Sequence, residues 1–261
     1  MFGHKATTPL LLGHRGASKY APENSLAAFA LALEHGCDGF EFDVQLTGDG
    51  QAVVCHDPRI ARLQVANSTY ERLAVVSRAA SFSVLRAAHD GTAAAAQMTS
   101  ALPRLEDVLE QFASRAYLNI ELKVPGLEKA VLDILKRFPP MHGYVVASFL
   151  PEVIETLHKK NPATQLGYIC KTTAALYRWR DLPVRAVIAQ HPLVSVALVD
   201  EIHSAGKQVM AWTVNSEAAM RRLAQAGVDA IISDDTQRLC RTFATARRGP
   251  RTWPEQKGHP K

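Results

Sequence analysis

The sequence predicts an α/β protein, a (β/α)8 TIM barrel with a small insertion after the second strand. Eight short apolar runs alternate with longer segments of helical periodicity, as in repeated β–α units. Several of the predicted helices are followed by a glycine, such as Gly206 or Gly227, where a left-handed C-cap is expected. The length of 261 residues suits one such barrel. On the pattern alone, an open doubly wound sheet is the alternative.

The elements follow in order along the chain. The first predicted helix has Leu26, Phe29 and Leu33 on one face, Asn24 or Ser25 as its N-cap and a glycine after its end. The strands are predicted over residues 10–12, 39–44, 117–122, 144–148, 165–170, 186–190, 208–213 and 229–232. The later helices are predicted over residues 105–112, 127–138, 152–160, 193–204 and 217–226.

One region interrupts this alternation. Residues 51–55 predict an extra strand, and between His56 and Pro103 the sequence is polar and alanine-rich, with no clear second helix. We expect a single domain over residues 1–243, with an insertion at about 57–102 that covers one end of the barrel as a lid or binding loop. A loop without a role is the alternative.

Charge and composition exclude several classes of protein. Most of the net charge of +5 lies in residues 244–261, which are rich in Pro, Gly and basic residues, so we expect a solvated, disordered tail and no nucleic-acid site. The sequence has no apolar run long enough for a membrane span and no signal peptide, which predicts a cytoplasmic protein. The four cysteines form no CxxC pair, so we expect reduced thiols.

Two carboxylates alternate with large apolar residues in the second predicted strand. Strand periodicity places Glu41 and Asp43 on one face and apolar residues on the other. In a barrel the apolar face meets the helices, so both carboxylates point inward near the C-terminal mouth. Burying two neighbouring negative charges is costly unless a divalent cation compensates them. A pair of solvated acids at a sheet edge is the alternative.

The third predicted strand repeats the alternation, with Glu121 and Lys123 on one face. This pattern predicts either an internal salt bridge or a third metal ligand beside a phosphate-binding ammonium group. Oxygen-only ligands favour Mg²⁺, Ca²⁺ or Mn²⁺ over Zn²⁺.

Two histidines follow predicted strands, where barrel active sites form. His14 and Arg15 lie between two glycines after the first strand, and His56 follows the extra strand. Two histidines suit an acid/base pair near neutral pH, while Arg15 and Lys123 suit phosphate binding. The carboxylates outnumber these two cations, so a divalent cation is needed before the site attracts a phosphodiester.

These residues belong to a series of short motifs spread over residues 9–240. In chain order the motifs are HRG at 14–16, PENS at 22–25, EFDV at 41–44, HDP at 56–58, LP at 102–103, ELK at 121–123, SF at 148–149, WTVN at 212–215 and GVDAI at 227–231. As an ordered set they resemble the glycerophosphodiester phosphodiesterase family.

The resemblance implies metal-dependent hydrolysis of glycerophosphodiesters to sn-glycerol 3-phosphate and an alcohol. It implies attack by the glycerol 2-hydroxyl on phosphorus and a cyclic phosphate that water opens. The implied partner is a small glycerophosphodiester. The implied residues are Glu41, Asp43 and Glu121 for a Mg²⁺, Ca²⁺ or Mn²⁺ ion, His14 and His56 for acid/base catalysis, Arg15 and Lys123 for the phosphate, Trp212 near the glycerol and Phe149 in the pocket wall.

The insertion departs from the family pattern. Gly48 stands where a lysine is usual, and the residues after Pro58 differ from the usual Thr/Asn/Gly-rich run. The sequence therefore does not determine which leaving alcohol the protein accepts. A lysophospholipase D with an apolar groove at Phe82, Val84 and Leu85 is one alternative, and a non-catalytic phosphate- or lipid-binding module is another.

Overall fold

Parallel strands close into a barrel in the structure, a computed structural model that describes residues 8–87 and 102–245. Eight parallel strands of these ranges, β1, β2 and β6 to β11, form the ring, and β1 pairs with both β2 and β11. All the strands are β1 Leu10–His14, β2 Gly39–Leu46, β3 Ala52–Val54, β4 Arg59–Ile60, β5 Leu63–Gln64, β6 Tyr117–Leu122, β7 Tyr144–Ser148, β8 Leu166–Cys170, β9 Ala186–Gln190, β10 Gln208–Trp212 and β11 Ala230–Ser233. The predicted TIM barrel is confirmed, and the closed ring excludes an open sheet.

Helices connect successive barrel strands. They are α1 Leu26–Glu34, α2 Tyr70–Ala87, α3 Leu105–Phe112, α4 Glu128–Arg137, α5 Pro151–Lys160, α6 Thr173–Leu176, α7 Val196–Ser204, α8 Glu217–Gln225 and α9 Thr236–Phe243. Ser25, one of the two predicted caps, accepts a hydrogen bond from the Ala28 amide at the start of α1. Helix α7 begins three residues later than predicted, because His191–Leu193 form a 3₁₀ turn and Ser195 caps the helix.

The prediction that no second helix lies between His56 and Pro103 is wrong. Helix α2 occupies Tyr70–Ala87, and its first turn is held by Asp49, whose carboxylate accepts a hydrogen bond from the Tyr70 amide at 3.0 Å. Of its described side chains, Leu73 and Ala74 are buried. An apolar face this small gives little periodicity, and a capping partner 21 residues away leaves no local signal.

The predicted extra strand is confirmed as β3, which pairs antiparallel with β2. A short β4–β5 hairpin follows, and a small apolar cluster of Val53, Val65, Leu73 and Leu102 packs beneath this segment. Residues 88–101 of the predicted insertion and residues 246–261 of the predicted tail lie outside the described residues. Of the described helices, none has both the length and the apolar character to cross a bilayer.

An apolar layer between the barrel and its helices determines which face of each strand points outward. Phe40 and Phe42 of β2 pack outward against Phe29 of α1 and Phe112 of α3, and the rings of Phe29 and Phe40 stack at 4.3 Å. The opposite face of each barrel strand points into the interior. Because the phenylalanines face outward, the alternate residues of β2 face the barrel interior. Those in its second half lie near the carboxyl ends of the strands.

Candidate active site

Three carboxylates meet inside the barrel near the C-terminal ends of β2 and β6. Glu41, Asp43 and Glu121 each place one carboxylate oxygen within 4.8 Å of the others, and all three side chains are buried. Their meeting follows from strand register, because Asp43 is the Cα partner of Glu121 in the parallel β2–β6 pair. The alternative of solvated edge acids is therefore excluded.

The carboxylates repel one another. Burial raises the pKa of Glu41 to about 8, and the negative charge of Asp43 adds to this effect. Burial and Asp43 also raise the pKa of Glu121. A set of oxygen-only donors that is buried and short of positive charge fits a hard divalent cation such as Mg²⁺, Ca²⁺ or Mn²⁺.

Lys123 partly neutralises this cluster from the end of β6. Its Nζ lies 2.6 Å from Glu121 Oε1 and 3.2 Å from Asp43 Oδ1. Burial alone would lower the pKa of Lys123, but the two carboxylates outweigh it and the pKa is raised, so the ammonium stays charged. The salt bridge allowed by the sequence is present, and Glu121 belongs to the carboxylate cluster as well.

Arg15 lies in a tight turn after β1. Its φ of 55° is in the left-handed region, and in this conformation its backbone amide donates to Glu41 Oε2 at 3.0 Å. Its guanidinium contacts two acids, with Nη1 3.0 Å from Glu23 Oε1 and Nε 3.3 Å from Asp43 Oδ2. Arg15 is thus positioned beside the cluster, with its charge already shared between carboxylates.

Asn24 holds Asp43 in place. Its Nδ2 donates to Asp43 Oδ2 at 2.8 Å, and its Oδ1 accepts from the Asp43 amide at 3.1 Å. Asn24 also has a left-handed backbone, with φ of 55°, which asparagine tolerates better than most residues. The sequence motif contained Asn24 but predicted only a helix cap.

His14 is oriented by a carboxylate from the far end of the chain. Its Nδ1 lies 2.6 Å from Asp234 Oδ1, and its Nε2 lies 3.9 Å from Glu41 Oε2. Asn215 donates to the other oxygen of Asp234 at 2.6 Å and fixes that carboxylate. Burial alone would lower the pKa of His14, but Asp234 and Glu41 outweigh it, and the pKa is raised.

His56 approaches the cavity after β3. Its Nδ1 lies 2.8 Å from Asp57 Oδ1, and its backbone carbonyl accepts from Gln45 Nε2 at 3.0 Å. Gln45 is buried in β2, so the turn that carries His56 is tied to the same strand as the carboxylates.

One cavity of about 370 Å³ joins these groups. The structure brings all nine predicted site residues to its wall: His14, Arg15, Glu41, Asp43, His56, Glu121, Lys123, Phe149 and Trp212. Phe149 and Trp212 form an edge-to-face pair at 5.7 Å on one side, and Trp212 Nε1 donates to the Ile188 carbonyl. One side of the cavity therefore carries acidic and basic side chains, and the other side is apolar.

Besides the role of Asn24, the sequence did not predict three further residues of this region. Lys171 and Asn119 line the cavity, and Asp234 orients His14. The segment Ser233-Asp234-Asp235, which follows the last predicted strand, predicts a cap for the last helix, and Asp235 provides it by accepting from the Arg238 amide. The position of Asp234 directly after a barrel strand was a signal that could have been used.

Comparison with known proteins gives one consistent result. The family described as "Glycerophosphoryl diester phosphodiesterase family" matches residues 14–238. A glycerophosphodiester phosphodiesterase of Caldanaerobacter subterraneus subsp. tengcongensis is 30% identical over 244 residues, covering 88% of this chain and 96% of that protein. One from Bacillus altitudinis is 31% identical over 243 residues, covering 86% of this chain and 94% of that protein.

Solved structures give the same result. A phosphodiesterase of Oleispira antarctica, in complex with the product sn-glycerol-3-phosphate, is similar with a TM-score of 0.74 and 27% sequence identity. The match covers 91% of this chain and 97% of that one.

Proposed function

The chain belongs to the glycerophosphoryl diester phosphodiesterase family, and from this we propose that it hydrolyses glycerophosphodiesters to sn-glycerol 3-phosphate and an alcohol with the help of a divalent metal ion. The observation that carries the proposal is the buried cluster of Glu41, Asp43 and Glu121, which shares one cavity with two histidines. The product complex of the Oleispira antarctica phosphodiesterase supports this substrate class.

Glu41, Asp43 and Glu121 are the residues that would hold the metal ion. A divalent cation at such a site lowers the pKa of a nearby hydroxyl and offsets phosphate charge. Lys123 and Arg15 flank the carboxylates and would bind the non-bridging phosphate oxygens, where charge increases in the transition state. Since both cations contact carboxylates in the structure, the phosphate would compete with those contacts.

His14 and His56 would carry the protons. One imidazole accepts the proton of the attacking glycerol 2-hydroxyl while that oxygen bonds to phosphorus. The other donates a proton to the alcohol oxygen as its bond to phosphorus breaks. Water then opens the cyclic phosphate with the two proton transfers reversed. Asp234 would keep Nε2 of His14 facing the cavity, because Nδ1 is engaged.

Phe149 and Trp212 would form the glycerol side of the pocket. Their edge-to-face pair offers an apolar wall opposite the charged residues. The carbon backbone of glycerol can pack there while its oxygens remain free for polar contacts.

Product release tests the proposal. Purified protein is incubated with glycerophosphocholine and glycerophosphoethanolamine, in EDTA or with Mg²⁺, Ca²⁺ or Mn²⁺, and sn-glycerol 3-phosphate is measured enzymatically. We expect metal-dependent release, lost in His56→Ala and retained in His158→Ala, which changes a histidine of α5 outside the cavity wall. Preferential cleavage of micellar lysophosphatidylcholine would favour a lysophospholipase D instead. The residues predicted for its groove, Phe82, Val84 and Leu85, lie in the part of α2 where the structure describes only the backbone.

A further inference from the structure

The side-chain amide of Asn119 is buried without a hydrogen-bond partner. The residue is 1% exposed, and within residues 8–87 and 102–245 neither its Nδ2 nor its Oδ1 has a hydrogen bond. Leaving a buried donor and a buried acceptor unpaired is unfavourable, because each has lost its hydrogen bonds to water without gaining another partner. An asparagine at such a position is best explained by a partner that arrives with the ligand.

The position of Asn119 in β6 places it at the catalytic cavity. Its Cα is paired with that of Glu41, two residues before the pair of Asp43 and Glu121. Asn119 therefore lies on the inward face level with Glu41 of the carboxylate cluster, and it lines the same cavity.

The neighbouring cavity floor is apolar. Ile169, Ile188 and Ile232 line it, and all three belong to the apolar cluster of the barrel interior. These aliphatic side chains can neither donate nor accept a hydrogen bond, so they offer no partner to the Asn119 amide. The ligand group that reaches it must supply both kinds of partner.

We propose that Asn119 binds a hydroxyl group of the glycerol moiety and thereby selects diesters with a free glycerol end. A hydroxyl accepts from Nδ2 and donates to Oδ1, which satisfies both atoms. A phosphate oxygen would satisfy only Nδ2 and a metal ion only Oδ1, so each would leave one atom unpaired. This inference rests on the proposed function, since it takes glycerophosphodiesters as the substrates.

The test measures binding of hydroxyl-deletion analogues by isothermal titration calorimetry, with Mg²⁺ in excess. The ligands are sn-glycerol 3-phosphate, propane-1,2-diol 1-phosphate, 3-hydroxypropyl phosphate and propyl phosphate, which together delete either hydroxyl or both. The proteins are wild type, Asn119→Leu, which keeps the approximate size and removes both polar atoms, and Ile188→Val as a packing control for the same wall.

We expect wild type to bind sn-glycerol 3-phosphate at least about 10-fold more tightly than the analogue that lacks the partner hydroxyl, because that analogue loses two hydrogen bonds. In Asn119→Leu this preference disappears, whereas in Ile188→Val it remains. We also expect Asn119→Leu to unfold at a higher temperature than wild type, because it removes an unpaired polar group from an apolar wall. A residue needed only for packing would not give this combination.

Other results would overturn the inference. The inference is wrong if wild type binds sn-glycerol 3-phosphate no better than it binds the analogues. It is also wrong if Asn119→Leu keeps the wild-type preference for sn-glycerol 3-phosphate. A uniform loss across all four ligands, together with weaker Mg²⁺ binding, would make Asn119 a metal ligand instead. The proposed function fails separately, if wild type releases no sn-glycerol 3-phosphate from any diester.

Discussion

His14 Nδ1 lies 2.6 Å from Asp234 Oδ1, although 220 residues separate the two in the chain. Closure of the barrel accounts for this contact, because β1, which ends at His14, pairs with β11, which ends just before Asp234. The same carboxylate is held by Asn215 and Ser18. The pair therefore supplies a fixed, partly buried imidazole at the cavity wall.

Replacing Asp234 with asparagine should impair catalysis without unfolding the protein. The amide that replaces the carboxylate cannot supply the negative charge, so the pKa of His14 falls and the pH at which His14 loses its proton moves lower. We expect kcat/KM to decrease by about 100-fold, within the range for acid/base catalysis. Steady-state kinetics between about pH 5 and 9 measure both effects.

Asp235→Asn is the matched control for that substitution. Asparagine can still cap α9 but cannot supply the negative charge that contacts Lys19, so Asp235→Asn should lower thermal stability and leave the pH profile of kcat/KM unchanged. An unchanged rate and pH profile in Asp234→Asn would contradict the assigned role of Asp234.

Glu41→Gln should stabilise the metal-free protein at alkaline pH. Glu41 is buried beside two further carboxylates, and its pKa is raised to about 8. A carboxyl group whose pKa is raised on folding destabilises the fold as pH rises from its unfolded pKa toward 8, and the penalty persists above that. The unfolding temperature of Glu41→Gln in EDTA should exceed that of wild type more at pH 9 than at pH 5. Equal differences at both pH values would contradict this account of Glu41.

Metal binding should release protons in a pH-dependent way. The metal binds ionised carboxylates, so below about pH 8 Glu41 must lose its proton first and the apparent affinity falls as pH falls. Titration calorimetry with Mn²⁺ in buffers of different ionisation enthalpy measures the number of protons released. We expect release near pH 7 in wild type and a smaller release in Glu41→Gln. Release of the same size in both proteins would show that another group titrates.

Gly39→Ala should destabilise the barrel at the β2–β6 pair. A Cβ at Gly39 would lie 1.9 Å from the Tyr117 carbonyl oxygen. Because the clash is with backbone, only a shift of one of the two strands could relieve it. We expect a loss of about 3 kcal/mol in urea unfolding or failure to fold. Gly50→Ala is the comparison, because its Cβ would meet nothing within 4 Å and only the positive φ of 80° is strained, costing about 1 kcal/mol. Equal losses would contradict the close approach of the two strands.

The barrel and the carboxylates could be predicted from the sequence because both depend on local periodicity. Phe40 and Phe42 alternate with Glu41 and Asp43, and this alternation alone determines which residues face inward. Helix α2 could not be predicted in this way, since few of its described side chains are buried and Asp49 holds its start from a distance.

Contacts made by barrel closure were also beyond the sequence pattern. The carboxylate of Asp234 reaches His14 only after β1 and β11 pair, so a local interpretation assigned it to a helix cap. Asn119 follows the same inward alternation as Glu121, but its lack of a partner depends on every neighbouring side chain. Periodicity shows the direction of a side chain and leaves its hydrogen-bond partners undetermined.

Metal dependence is best measured by a metal titration of EDTA-treated protein, with sn-glycerol 3-phosphate release from glycerophosphocholine as the readout. We expect no release without metal, saturable recovery on adding Mg²⁺, Ca²⁺ or Mn²⁺, and no recovery in Asp43→Asn, which alters a carboxylate of the cluster. Full release in EDTA, or normal recovery in Asp43→Asn, would contradict a metal-dependent reaction at Glu41, Asp43 and Glu121.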